Sequence, residues 1–219
     1  MKTYFEKLNA SFLLGRKQLS TLLLLTTAVL GGFAQDEGEK IVYKNTIRTG
    51  LSFTPGFMVN GTKNVYITGS LEYYLSDRVS VEGACLYFAN SRNKTEPELK
   101  INHHIYTGFN YHFLKNRAFD LYMGLQPGFV LTQVNAAYPL NIDEPGILGP
   151  KEKTPLGANP MISVNTGFNF FAAKYFHLFV NGRFVAGRYL GGPEPYSLSE
   201  VMLSFGMGLN ANFFNRKKK

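Results

Sequence analysis

From about residue 47 onward the chain repeats one pattern: apolar and polar residues alternate, break at a turn and alternate again, eight times over. Side chains on a strand point to opposite faces in turn, so a sustained period of two writes a sheet with one greasy and one wet face. Val65, Ile67, Gly69, Leu71, Tyr73 and Leu75 form the apolar set of the second stretch, and Val201, Leu203, Phe205, Met207, Leu209, Ala211 and Phe213 that of the eighth. The first stretch, with Ile47, Leu51 and Phe53, is expected to break near Pro55-Gly56, and the sixth to begin at Ile162. Stretches of about ten residues whose other face still carries charge predict a transmembrane barrel.

The two faces differ in kind. Large aliphatics crowd one, whereas the other holds nearly all the charges together with Ser, Asn, His and a run of glycines such as Gly108, Gly124 and Gly167. A soluble ligand-binding barrel has the opposite arrangement, apolar inside and polar outside. The connections alternate as well. Ser76-Asp77-Arg78, Lys115-Asn116-Arg117 and Ala172-Ala173-Lys174 are tight, while residues 90–100, 135–158 and 190–197 form longer links and 60–63 a marginal one. Short turns on the inner side and long loops outside are the rule for outer-membrane barrels. The predicted fold is therefore all-β: an eight-stranded antiparallel up-and-down barrel over residues 44–214.

The N-terminus reads as an export signal. Lys2, Lys7, Arg16 and Lys17 precede the apolar run Leu19–Leu30, and Gly31-Gly32-Phe33-Ala34 offers small residues for cleavage. The run is shorter than the roughly 20 residues of a membrane-spanning helix. Residues 1–34 are thus expected to be a signal peptide, 35–43 a short leading segment and 215–219 a basic tail. The net charge of +8 carries no nucleic-acid signal, because the leader and the tail Arg216–Lys219 supply nearly all of it. No basic stripe interleaved with aromatics remains. The lone Cys85 forms no internal disulfide and falls on an apolar face, where a thiol behaves as a small hydrophobe.

Three stretches carry a resemblance: Phe33–Gln35 at the cleavage region, LEYYLSDRVSVEG over 71–83, and MLSFGMGLNANFF ending at Phe214. Together they resemble small outer-membrane β-barrel proteins of Bacteroidetes-type bacteria, with the architecture of the OmpX and OmpA-transmembrane kind. The resemblance implies outer-membrane lipids as surroundings and the barrel-insertion machinery as a partner in biogenesis. The signal that machinery reads is expected to be internal, since Asn215–Lys219 follow the aromatic Phe214. A peptidoglycan-binding domain is not expected after the last strand.

Candidate chemistry comes from the wet face. Arg48, Glu72, Glu82, Asp120, Arg183 and Glu200 are its charges, and their balance predicts an ion-pair network filling the lumen; a narrow ion path is the alternative use. Tyr73, Tyr111, Phe113, Phe119, Phe170, Phe176 and Phe213 crowd the short-turn end, as the aromatic girdle of a membrane interface does. His104, His112 and His177 face inward, but His104 and His112 lie eight positions apart, roughly 26 Å along a strand, too far to share one ion. A lipid-modifying acyl hydrolase or transferase would need a pair such as Ser91 and His103 to converge, with Glu96 or Glu98 as orienting acid. No catalytic residue, cofactor or metal site is assigned. The proline-rich segment 135–158 is a stiff projection suited to recognition of an extracellular or envelope protein. The functional expectation is a structural, adhesive or surface-interaction role, with a lipid-modifying enzyme or an accessory subunit of envelope secretion or transport as alternatives.

Overall fold

The computed structural model describes residues 42–92, 98–116, 118–136, 152–190 and 196–212. The expectations for residues 1–34, for Phe213 and Phe214 and for the basic tail lie outside them. Eight long strands follow one another: β1 (Thr46–Met58), β2 (Lys63–Tyr74), β3 (Val79–Arg92), β4 (Glu98–Lys115), β5 (Phe119–Ala136), β6 (Gly157–Ala173), β7 (Phe176–Tyr189) and β8 (Glu200–Asn212). Each pairs antiparallel with the next, and β8 returns to β1 from Thr46↔Asn212 to Met58↔Glu200. The sheet is therefore a closed barrel. Among the described residues no helix is long and apolar enough to cross a membrane, which has no bearing on crossing by strands.

Register fixes the width. Partners followed round the wall from Ile47 through Tyr73, Val81, Phe109, Leu125, Val164, Phe184 and Val201 arrive at Phe57, ten residues further along β1. A stagger of that size over eight strands tilts them by about 40° and leaves an interior just wide enough for side chains. Every residue on that path faces outward. Leu51, Phe109, Leu125, Phe205, Met207 and Leu209 are each about half exposed or more, whereas Arg48, Glu72, Asp120 and Glu200 are buried. The greasy side is the outside.

The turns follow local chemistry. Ser76 Oγ accepts the amides of Arg78 and Val79 below β2, and Asn116 Oδ1 accepts those of Ala118 and Phe119 below β4. Gly61, at φ +88°, closes the β1–β2 turn in the left-handed region, where a side chain is strained.

Several sequence expectations need correction. The first strand does not break at Pro55-Gly56. Pairing to β2 runs straight through Thr54↔Tyr66 and Pro55↔Val65, and only the β8 ladder skips these residues, because proline lacks the one amide that side would use. The sixth strand starts at Gly157, before Ile162, and β5 runs to Ala136. Glu152–Lys153 then pairs back on Asn135 and Ala136, so both ends of the expected 135–158 loop belong to the sheet. Tyr196–Ser197 likewise folds back on Arg188 and Tyr189.

Candidate functional site

The lumen is where polar chemistry concentrates, and the period of two places it there. Near the short-turn end Arg48 on β1 forms ion pairs with Glu72 on β2 and, at 3.2 Å, with Asp120 on β5. His112 on β4 lies between the same two carboxylates, with Nδ1 2.8 Å from Asp120 and Nε2 3.3 Å from Glu72. Tyr74 and Asn169 donate to Asp120, and Ser80 and Asn110 to Glu72. One turn of the barrel higher, Glu82 accepts from Asn110 at 2.7 Å and from Gln126 at 2.8 Å. Arg183 donates to Gln126 and Ser163, with its guanidinium 4.7 Å from the ring centre of Tyr106. Glu200 stands apart near the long-loop end, held by Tyr66 at 2.7 Å and Asn64 at 2.9 Å. Its carboxylate lies against Gly56, where any Cβ would overlap it. The six charges named from sequence thus face inward and are buried, but as a five-membered lower group and a separate Glu200.

Sequence reasoning missed the upper lumen. Leu86, Phe88, Tyr106, Val130, Val185 and Met202 occupy inward positions there and pack into one apolar cluster with Leu99, Val134 and Leu198. The signal was legible on single strands: the inward set of β3 reads Ser80, Glu82, Ala84, Leu86, Phe88, polar below and apolar above. At the opposite end Val42, Tyr74 and Phe171 form a second small cluster. Tyr74 and Phe171 therefore turn inward and do not join the outer aromatics. Between the ends, beside Arg48, Glu72, Glu82, Arg183 and Asn181, lies a cavity of about 30 Å³, room for one or two waters. Among the described residues the lumen is filled.

Its geometry includes one constellation with a chemical meaning. Ser80 Oγ is 2.8 Å from His112 Nε2, and His112 Nδ1 is 2.8 Å from Asp120, the order of a nucleophile, base and orienting acid. Its surroundings disable that use. Ser80 is fully buried, and its hydroxyl is 2.5 Å from the Glu72 carboxylate, which takes its proton in a hydrogen bond and would repel an oxyanion. An imidazole flanked by two carboxylates satisfies both only by donating from both nitrogens, which leaves no lone pair to act as base. The Ser91 and His103 pair does not converge. Ser91 is buried on the lumen side, while His103 stacks on the outward Tyr87 at 4.6 Å and accepts the Phe88 amide through Nδ1 at 3.0 Å. Glu96 lies outside the described residues. Among the described residues no group of three or more His, Cys, Asp or Glu side chains is arranged to hold a metal ion.

Of the outer aromatics, Tyr111, Phe113 and Phe170 are exposed, and Tyr73, Phe119 and Phe176 half-buried, all toward the short-turn end. Phe119 stacks on Phe168 at 5.2 Å and lies 5.5 Å from Phe170.

The chain is similar in fold to solved outer-membrane barrels. The outer membrane protein OprG from Pseudomonas aeruginosa shares 9% identity at a TM-score of 0.54, over 78% of this chain and 97% of that one. Neisserial surface protein A shares 14% identity at a TM-score of 0.50, over 77% of this chain and 96% of that one. No protein-family description matches the sequence, and no curated relative does. At such identities the likeness establishes the fold: a closed eight-stranded antiparallel barrel of the outer-membrane type.

Proposed function

We propose that the protein is an integral outer-membrane barrel of a Gram-negative cell envelope, a closed scaffold that presents its longer connections for surface interaction. One observation carries this reading: large apolar side chains cover the outside of a closed barrel whose charges are all turned inward or kept to the rims. In water that arrangement exposes hydrophobic surface far beyond what a soluble protein tolerates; in lipid it is the stable one. The short-turn rim, with Tyr111, Phe113 and Phe170 on its outer side, sits at the inner interface. Lipids are then the immediate partners of the wall, and the barrel-insertion machinery its partner in biogenesis. The longer connections expected from the sequence are offered to an extracellular or envelope protein. The Bacteroidetes-type affinity rests on the three sequence stretches quoted above.

No observation favours the acyl hydrolase or transferase reading, since Ser91 and His103 face opposite sides. The test is heat-modifiable migration in outer-membrane fractions. The unheated protein should run faster than the boiled one and need detergent to stay monodisperse. A monodisperse mature protein without detergent would overturn the assignment, and recovery within a stoichiometric envelope complex would move it to an accessory subunit.

A further inference from the structure

The strands β3 and β4 are joined in sequence, yet their ladder stops at Leu86↔His104. Above that pair β3 continues to Arg92 bound only to β2, and β4 begins at Glu98 bound to β5. No other neighbouring pair of long strands parts over so many residues. The wall thus has a seam on its long-loop side. His103 partly closes its lower end: the ring takes the Phe88 amide that a β4 carbonyl would otherwise accept. Tyr87, exposed and stacked on His103, continues the apolar outer face beside it with Ile67, Val65 and Phe57.

At the top of the seam Lys63 on β2 and Arg92 on β3 are direct cross-strand partners, and both are exposed. Like charges directly opposite one another destabilise a sheet. Neither has an acidic partner among the described residues, whereas the nearby Lys100 is paired with Glu98 at 3.1 Å. Two cations forced together above an apolar wall fit one kind of occupant: an anion carried at the surface of the lipid itself.

We propose that the β3–β4 seam docks a phosphorylated lipid of the outer leaflet, its phosphate held between Lys63 and Arg92 and its sugar or glycerol against Tyr87 and His103. This rests on the membrane assignment above. The phosphate cancels the repulsion between the two cations, and the acyl chains lie on Ile67 and the neighbouring outward residues. A free phosphate would gain only the first of these.

The full chain in a neutral maltoside is titrated with bisphosphorylated lipid A, with the same lipid dephosphorylated and with inorganic phosphate, bound lipid being counted by native mass spectrometry. Each basic side chain beside an anionic lipid surface contributes roughly 1 kcal/mol, so Lys63→Gln with Arg92→Gln lowers affinity for the phosphorylated lipid about thirtyfold. Lys174→Gln at the opposite rim leaves it unchanged. Equal binding by the double variant, equal binding of the dephosphorylated lipid, or displacement by millimolar inorganic phosphate overturns the proposal. A photocrosslinker at Asn90 should capture lipid in whole outer membranes; capture of protein instead assigns the seam to strand addition and also overturns it. Heat-modifiable migration of the same samples separates the two failures. If it is lost in the wild type, the membrane assignment falls. If it persists while lipid affinity is unaltered, the lipid site alone falls.

Discussion

Replacing Arg48 by Met tests whether the lower lumen is held together by charge. Arg48 is only 6% exposed and is the one guanidinium among the described residues that reaches both Glu72 and Asp120. Removing one partner of a buried ion pair typically costs about 3–5 kcal/mol, because the remaining charge is left uncompensated. Both carboxylates keep other donors: Ser80, Asn110 and His112 for Glu72, and Tyr74, Asn169 and His112 for Asp120. The expected loss is therefore near the lower limit, about 3 kcal/mol, a hundredfold or more in the folded-to-unfolded ratio. Urea titration of the barrel in detergent, read by the fraction that migrates as the compact band, measures it. Adding Glu72→Gln to Arg48→Met should restore roughly half, since one uncompensated carboxylate is removed and Asp120 remains. A loss below about 1 kcal/mol for Arg48→Met, the cost expected of a solvent-exposed pair, would refute the argument and mean that water reaches the cluster.

Phe205→Arg, at mid-height of the outer face, should cost about 2–4 kcal/mol in the same titration, against about 0–1 kcal/mol for Phe57→Arg near the rim; equal costs would mean that no hydrocarbon layer surrounds the wall. Gly167→Val should abolish the compact band, because a Cβ at that position overlaps the ring of Tyr122. Ser80 should resist a fluorophosphonate probe in the folded protein, while Ser80→Ala lowers stability by about 1.5–3 kcal/mol, the loss of one hydrogen bond to a charged Glu72 that keeps Arg48, Asn110 and His112; labelling of native Ser80 would show that the site is open. Planar bilayers holding the purified protein should show no steady conductance steps, and well-defined openings would contradict a lumen closed by Leu86, Phe88, Val130 and Met202.

The faces of this barrel were legible in the sequence because a period of two is a local property. Arg48, Glu72, Asp120 and Leu209 each reveal their side from immediate neighbours. What joins residues across strands was not. Ser80, His112 and Asp120 meet because Ser80 pairs with Asn110 and His112 with Tyr122, which sets each of the three two positions along the inward face from its neighbour's partner. None of those pairings follows from spacing along the chain, since register is set by turn geometry and irregularities in the ladder. Pro55 misled for a related reason. A strand in a sheet has two sides, and the missing amide of Pro55 costs pairing only on the one toward β8. The seam between β3 and β4 was equally hidden: the alternation slips inside it, at Ala89–Asn90 and at Lys100–Ile101, but those slips mark an extra residue against β2 and β5 and do not say that the two strands stop pairing.

The lumen divides into a polar lower half and an upper half where an apolar cluster lies among buried polar groups. A narrow barrel must fill its core with side chains, and each buried polar atom needs a partner. The lower half meets that demand by consuming its functional groups: the Ser80 hydroxyl is spent on Glu72, both His112 nitrogens on carboxylates, and Arg48 on two acids. The upper half meets it with linked groups beside the apolar cluster: Glu200 accepts from Tyr66 and Asn64, Asn102 donates to Tyr66, and Thr132 donates to Asn102. A reactive centre needs a group left unsatisfied and a path to reach it. Inside the barrel the buried atoms without a partner are scattered, Asn64 Oδ1, Asn165 Oδ1 and His177 Nδ1 among them; at the rim Lys63 faces Arg92 and two strands stop pairing. Under the proposed function, recognition by this molecule belongs to its outer edge.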